Sequence, residues 1–172
     1  MKKFLTLIAW MCLFTSCTKK MDESLVIRIE NKTDAVLYFV LEPHEQSAST
    51  PNTLYRVSDI GGQYLEREFE LSSFNDFNKS RMLFNTTDLT IEPHVLVSKI
   101  FNGIRIYSAD QKTQLINFTR DTVVGYSENI FTISSTWNYE VVESDRVTQT
   151  RRNSARYHVY TFSILENKII VE

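Results

Sequence analysis

Residues 25–41, Leu25-Val26-Ile27-Arg28-Ile29-Glu30-Asn31-Lys32-Thr33-Asp34-Ala35-Val36-Leu37-Tyr38-Phe39-Val40-Leu41, read as strand, turn, strand. In the first run Leu25, Ile27 and Ile29 alternate against Val26, Arg28 and Glu30. A period of two carried by β-branched residues is the pattern of a half-buried strand. Asn31 to Asp34 is a cluster of turn formers. Ala35 to Leu41 is almost wholly apolar and too short for a confident helix, so it is expected as a central strand buried on both faces. The two strands are expected to form an N-terminal hairpin.

The same short-strand rhythm continues downstream. Glu42 to Thr53 is polar and reads as a long loop. Leu54 to Ile60 pairs weakly, Gly61-Gly62 turns the chain, and Tyr64 to Leu71 alternates as a strand, although its Glu and Arg content also suits a helix. Ser72 to Asn85 is irregular, with Phe74, Phe77 and Phe84 as expected anchors and room for a short helical turn. Leu89–Ile91 and Val95–Phe101 are expected as strands split by Pro93, since proline removes a ladder donor. Asn102-Gly103 is the strongest hairpin signal of the chain and would join Val95–Phe101 to Ile104–Tyr107. Ser108 to Gln111 turns again. Gln114–Thr119 and Asn129–Thr136 follow as strands. Asn138–Gln149 and Ala155–Leu165 form a long hairpin with Arg151 to Ser154 at its tip, and Ile169–Val171 is a last strand. Many short strands with turns between them predict an all-β fold: an antiparallel β-sandwich of immunoglobulin-like layout, with room for one short helix.

Upstream of residue 25 the chain changes character. Lys2 and Lys3 give a positive start, Phe4 to Phe14 is an almost unbroken apolar run, and Leu13-Phe14-Thr15-Ser16-Cys17 closes it. Charged, apolar and small-residue regions in that order are the layout of a secretory signal peptide. The run is short for about 30 Å of hydrocarbon, which takes roughly 20 residues. An uncleaved anchor and an ordinary secretory signal are the alternatives, the latter leaving Cys17 as a lone thiol. The small residues running into a cysteine resemble a bacterial lipoprotein signal, with Phe14 where the family prefers leucine. The resemblance covers residues 1–17. It implies cleavage before Cys17, a diacylglycerol on its thiol, and often a third chain on its amine. Two or three acyl chains hold a protein stably, at about 0.8 kcal/mol per buried CH₂. The implied organisation is a signal peptide over 1–16, a lipid-anchored tether over 17–24 and a β-sandwich domain over 25–172. Lys20-Met21-Asp22-Glu23 reads either as a solvated linker or as the charged surface-export stretch of some Gram-negative lipoproteins. The strand–Asn-x-Thr–strand opening, Ile27 to Phe39, is also similar to that of small Gram-negative envelope lipoproteins, a likeness that implies no activity.

Composition narrows the function classes. Without Lys2 and Lys3 the formal charge falls from −2 to −4. A mildly acidic chain lacks the basic face that nucleic-acid phosphates require. With Cys12 in the cleaved peptide and Cys17 lipidated, no disulfide is expected and the core stands on packing alone. No Gly-x-Ser-x-Gly, His-Glu-x-x-His or phosphate-cradling glycine loop occurs. Asp145 with Glu143 is the kind of carboxylate pair found at turns in any β protein. The tripeptide Glu-Pro-His occurs twice, at 42–44 and 92–94. His44 and His94 with Glu42, Glu45, Glu92 or His158 carry donors that suit zinc. Their separation of 50 residues leaves it to the fold to bring them together, and two proline-entered loops explain the repeat as well. No metal and no cofactor are expected.

Two groups of residues carry a binding reading. Trp137 and Tyr139, with Tyr126, Tyr157 and Tyr160, would make an aromatic platform on which sugar rings stack; the alternative is ordinary core. Arg151, Arg152 and Arg156, at the hairpin tip, would meet phosphate head groups or an acidic glycan; the alternative is a solvated turn that blunts an edge. The expected function is therefore a non-catalytic binding or assembly module, lipid-anchored at the outer membrane on its periplasmic or surface face. Its partners would be the membrane through Cys17, and an envelope protein complex or a glycan, with no nucleic acid. The competing readings are a stand-alone glycan or small-ligand binder and, further off, a metal-dependent hydrolase.

Overall fold

The computed structural model describes residues 21–43, 68–133, 135–147 and 152–170. The signal segment with Cys17, the loop and weak strand expected between His44 and Arg67, Ser134, residues 148–151 with Arg151, and residues 171–172 lie outside the described residues, while Arg152–Ser154, expected in the hairpin tip, are paired with Val147–Asp145.

Nine strands are described: β1 (Asp22–Asn31), β2 (Leu37–Pro43), β3 (Glu68–Leu71), β4 (Ser80–Thr86), β5 (Phe101–Ser108), β6 (Gln114–Thr119), β7 (Val123–Val124), β8 (Trp137–Val147) and β9 (Arg152–Ile164). One helix, α1 (Pro93–Ile100), precedes β5, and a 3-10 turn spans Glu166–Lys168. The strands form two sheets, ordered β4-β1-β9-β8 and β3-β2-β5-β6-β7. The sheets pack face to face, so the all-β sandwich with one short helix predicted from the turn spacing is the fold.

The alternating side chains of both sheets build the core. Leu25, Ile27 and Ile29 point inward from β1, meeting Leu37, Phe39 and Leu41 of β2 within one buried cluster. Phe118, Tyr126 and Phe162 meet edge-on or tilted at 5.7–6.1 Å between ring centres. Each such fully buried side chain contributes about 1.5–3 kcal/mol by leaving water.

The outer face of the first sheet is covered too. Arg28 on β1 reaches Glu140 on β8 at 3.3 Å, across the intervening β9. On the same outer face Val26, Val159 and Thr161 are buried, although they point away from the core, while Arg28 and Glu140 stay part-exposed.

Several expectations are corrected. β1 and β2 are not a hairpin: they lie in different sheets, and β1 pairs antiparallel with β4 and parallel with β9 over its whole length. β1 also opens at Asp22, earlier than the Leu25 expected; Glu23 is tied to Arg156 of β9 at 3.1 Å. β2 buries only Leu37, Phe39 and Leu41, leaving Tyr38 and Val40 half-exposed. Val95–Phe101 is not a strand. Proline suits the first turn of a helix, where its missing N–H bonds nothing, and Leu96, Val97 and Ile100 then share one buried face of α1. Asn102-Gly103 is no turn but the opening of β5: Gly103 pairs with Glu42 and Thr119 and Phe101 with Pro43, with Asn102 the extra residue where the ladder shifts register. There the glycine answers a close approach: a Cβ on Gly103 would stand 3.2 Å from the Phe118 carbonyl oxygen and 2.8 Å from a Glu42 carboxylate oxygen. Asn129–Thr136 is a chain of turns, because the Asn129 side chain replaces ladder partners. It donates to the carbonyls of Thr119 and Thr122 and accepts from the N–H of Phe131. Of the three phenylalanine anchors only Phe84 is buried; Phe74 and Phe77 are exposed. Ile169 makes a single bridge to Tyr126 rather than opening a strand.

Candidate functional site

The β8–β9 hairpin carries most of the residues singled out by sequence. Its rungs pair Trp137 with Phe162, Tyr139 with Tyr160, Val141 with His158 and Glu143 with Arg156. β1 adds Ile29, Ile27, Leu25 and Glu23 to the same rungs. Since alternate residues share a face, these twelve form one surface, running from the core to an ionic rung at its outer end.

Trp137 belongs to the core end of that surface. Its indole is half-buried, tilted on Phe162 at 5.5 Å, and its ring N–H donates to Ser135 Oγ at 2.8 Å. Tyr126 is buried altogether, bonded through its hydroxyl to the Ser163 carbonyl and the Leu165 N–H. Burial pushes that phenol above its ordinary value. Tyr139 is the open member of the group: 51% exposed, with its ring 4.9 Å from that of Tyr160. It also stacks on the His158 ring, sharing a 2.7 Å hydrogen bond with Nδ1. The other imidazole nitrogen is closed off from solvent without a hydrogen-bond partner among the described residues, 3.9 Å from a Glu23 oxygen. Tyr157 pairs with Val142 and Ser24 and so lies on the opposite face.

Arg156 is not a free cation. It donates to both Glu23 at 3.1 Å and Glu143 at 2.9 and 3.1 Å, and so ties β1, β9 and β8 together. The Glu143 hydrogen bond and charge, then Glu23, hold its guanidinium above its ordinary value. A guanidinium already forked onto two carboxylates has little left for a phosphate. Arg152 opens β9; Arg151 and the lipidation candidate Cys17 lie outside the described residues.

The two described imidazoles, of His94 and His158, have different carboxylate neighbours. His94 sits in the first turn of α1, 3.4 Å from Glu92. His158 lies in the first sheet with Tyr139 and Glu23, Glu42 is paired with Arg105 at 2.6 Å, and His44 is outside the described residues. No three His, Cys, Asp or Glu side chains group as metal ligands among the described residues. Nor is any helix there long and apolar enough to cross a membrane.

β8 is also an edge. In the order β4-β1-β9-β8 it pairs, among the described residues, on one side only, with β9. Val141 and Val142 are 46% and 39% exposed on its two faces, between Glu140 and Glu143. Charges along an edge discourage indiscriminate pairing, while the apolar row between them is surface a partner could cover.

A second cluster, whose residues the sequence offered only as a turn former and as expected anchors, lies at the opposite end of the sandwich. Asn31 closes β1 and is fully buried. Its amide donates to the carbonyls of Ala35 at 2.7 Å, Ser72 at 2.9 Å and Leu71 at 3.3 Å. Its carbonyl oxygen accepts from the Thr33 N–H and hydroxyl at 3.0 and 2.8 Å. One side chain thus fastens the β1–β2 turn to the β3–β4 loop, and the Phe74 N–H adds a bond to the Thr33 carbonyl. On that fastened loop Phe74 is 44% exposed and Phe77 completely so. The available signal was two aromatics isolated in the polar run Ser72 to Ser80.

Comparison with protein-family models, curated proteins and solved structures finds no match for this chain.

Proposed function

We propose that the chain is a cell-envelope lipoprotein, anchored to the outer membrane through acylated Cys17, that works as a non-catalytic binding or assembly module. The signal-like start and the cysteine at its end support the anchor. The observation that carries the binding role is the face of edge strand β8 on which Tyr139 and Val141, two residues apart, are both about half exposed. Exposed apolar side chains in a row, rather than singly, mark interaction surface.

The test is purification from native membranes in mild detergent, with intact mass and copurified protein read in one run. A diacylated or triacylated chain with a stoichiometric partner is the expected result. An unmodified chain overturns the anchor, and an acylated chain that emerges alone overturns the assembly role.

A second reading, glycan binding, rests on the Tyr139–Tyr160 pair. Tyr139 alone of the aromatic group offers half its surface, so the discriminating variant is Tyr139→Ala rather than Trp137→Ala. Loss of a glycan-array signal in a folded Tyr139→Ala protein would favour this reading over assembly.

A further inference from the structure

Edge strands are guarded against pairing with other chains by being short, by bulges, or by Lys and Pro along them. The other described edges follow that rule. β3 has 4 residues and exposes Glu68 and Glu70, and β7 has 2. β4, with 7, meets β1 through a register shift between Ile27 and Arg28. β8 carries none of these guards. It runs for 11 residues without Lys or Pro, and its ladder with β9 keeps one register from Trp137 to Val147. Glu140 and Glu143 are each engaged by their own sheet, Glu140 by Arg28 at 3.3 Å and Glu143 by Arg156 at 2.9 Å. Between them Val141 and Val142 stand exposed, one on each face.

We infer that β8 pairs antiparallel with β8 of a second copy of this chain, about a two-fold axis through Val141. The inference rests on the assembly reading of β8 and names the partner at that edge. The strand's own pattern selects the copy and the register. Residues directly opposite each other share a face, and like charges placed there are destabilising. An axis through Glu140 or Glu143 sets that carboxylate against its own copy. An axis through Val142 sets Val141 against Glu143. An axis through Val141 sets Val141 against Val141, Tyr139 against Glu143 and Glu140 against Val142, so that no glutamate of this stretch faces another. Tyr139 of each chain is then the diagonal neighbour of Val141 of the other, close enough for an aromatic ring to touch it. The half-exposed face of one copy thus covers that of its mate. The pairing also closes. It continues the sheet β4-β1-β9-β8 into its reversed copy and leaves β4 at both ends. A two-fold contact of this kind uses the same patch on both chains and stops at two, and the edges left over are short or bulged.

The test uses the full-length chain in native membranes with a thiol oxidant added. Val141→Cys is expected to give a covalent dimer, since opposite residues stand near enough for a disulfide to form with a small adjustment. Val124→Cys, also exposed but on the edge strand β7, is expected to give none. Intact mass of the parent from the same membranes reports acylation of Cys17, so a failed anchor is read separately. In mild detergent the parent should run at dimer size, its stoichiometric partner being the chain itself. Val141→Lys and Val141→Glu should each melt as the parent does and shift to monomer size. Coexpressing those two variants should restore the dimer, because only pairing of β8 with itself about this axis sets position 141 against position 141. A cross-link from position 141 to a different protein would overturn the second copy while sparing the assembly role. No cross-link at 141, equal cross-linking at 141 and 124, charged variants that stay dimeric, or a mixture that stays monomeric would each overturn the inference. A parent that runs as a monomer with no copurified protein would overturn the assembly role with it.

Discussion

Asn31 holds more of this structure than any other polar side chain at the end of the sandwich away from the chain's entry into β1. Its replacement by alanine would strand the buried Leu71 carbonyl and Thr33 N–H and take one donor from the part-buried carbonyls of Ser72 and Ala35, the latter still within reach of the Thr33 hydroxyl. Unpaired buried groups cost about 1–3 kcal/mol each, partly relieved by rearrangement. Asn31→Ala is therefore expected to lose about 2–4 kcal/mol, read as a lower urea midpoint; a loss below about 1 kcal/mol would mean that the two loops stand without it. Glu128 gives a pH-dependent counterpart. Burial raises its carboxyl, but the Lys168 ammonium and the Thr136 N–H and hydroxyl outweigh that and hold it below its ordinary value. A depressed carboxyl contributes stability above its unfolded value, near pH 4, and loses it as the pH falls through the folded value. Between pH 7 and pH 3 the parent should thus lose more stability than Glu128→Gln, compared by denaturant midpoints at both pH values. In the sequence Asn31 read only as a turn former and Glu128 as nothing, because the partners of a polar side chain are fixed by residues up to 41 positions away.

The strands were legible where one face is wet. Leu25 to Glu30, Glu68 to Leu71 and Gln114 to Thr119 alternate in sequence and are strands in the structure. The pattern misled where local chemistry has two outcomes. Val95-Leu96-Val97 is β-branched and apolar, yet Leu96, Val97 and Ile100 also satisfy helical spacing, and with Pro93 in the first turn the helix wins. Asn102-Gly103 favours a tight turn only if the chain has a strand on each side of it; here a helix ends immediately before, and the pair is pulled into β5. The two described glycines should then respond differently. Gly125 has φ +79°, and a Cβ there would fall 1.9 Å from the Leu115 carbonyl oxygen, which is backbone and cannot step aside. Gly103 has ordinary strand dihedrals, and its nearest obstacle is a flexible Glu42 carboxylate. Gly125→Ala is expected to cost about 2 kcal/mol or more, from strain and clash together, and Gly103→Ala clearly less. Paired thermal melts decide it, and equal losses would contradict the assignment of strain to position 125.

At the scale of the whole molecule, the feature that pattern reading could not supply is pairing between the ends of the chain. Periodicity shows that Leu25 to Glu30 is a strand but carries no information about its neighbour, and the nearest strand in sequence was the natural choice. The fold instead sets β1 between β4 and β9, in the interior of its sheet. A leading strand placed so is part of the core: Leu25, Ile27 and Ile29 are all buried, and at about 1.5–3 kcal/mol apiece they match much of the 5–15 kcal/mol by which a domain is stable. A chain that begins at Asp22 is thus expected to unfold cooperatively. One that begins at Leu25 should lose the first three rungs of the β1–β9 ladder, at the sheet's end, and the half-exposed Glu23–Arg156 pair, itself worth about 1 kcal/mol or less, and still unfold cooperatively. One that begins at Lys32 should show no cooperative transition, because β4 and β9 would be left without the strand between them. Circular dichroism melts of the three truncations test this, and a cooperative transition in the shortest would show that the sheet closes without β1. If the longest two fold alike, any anchor upstream of Asp22 is coupled to the core through one short segment.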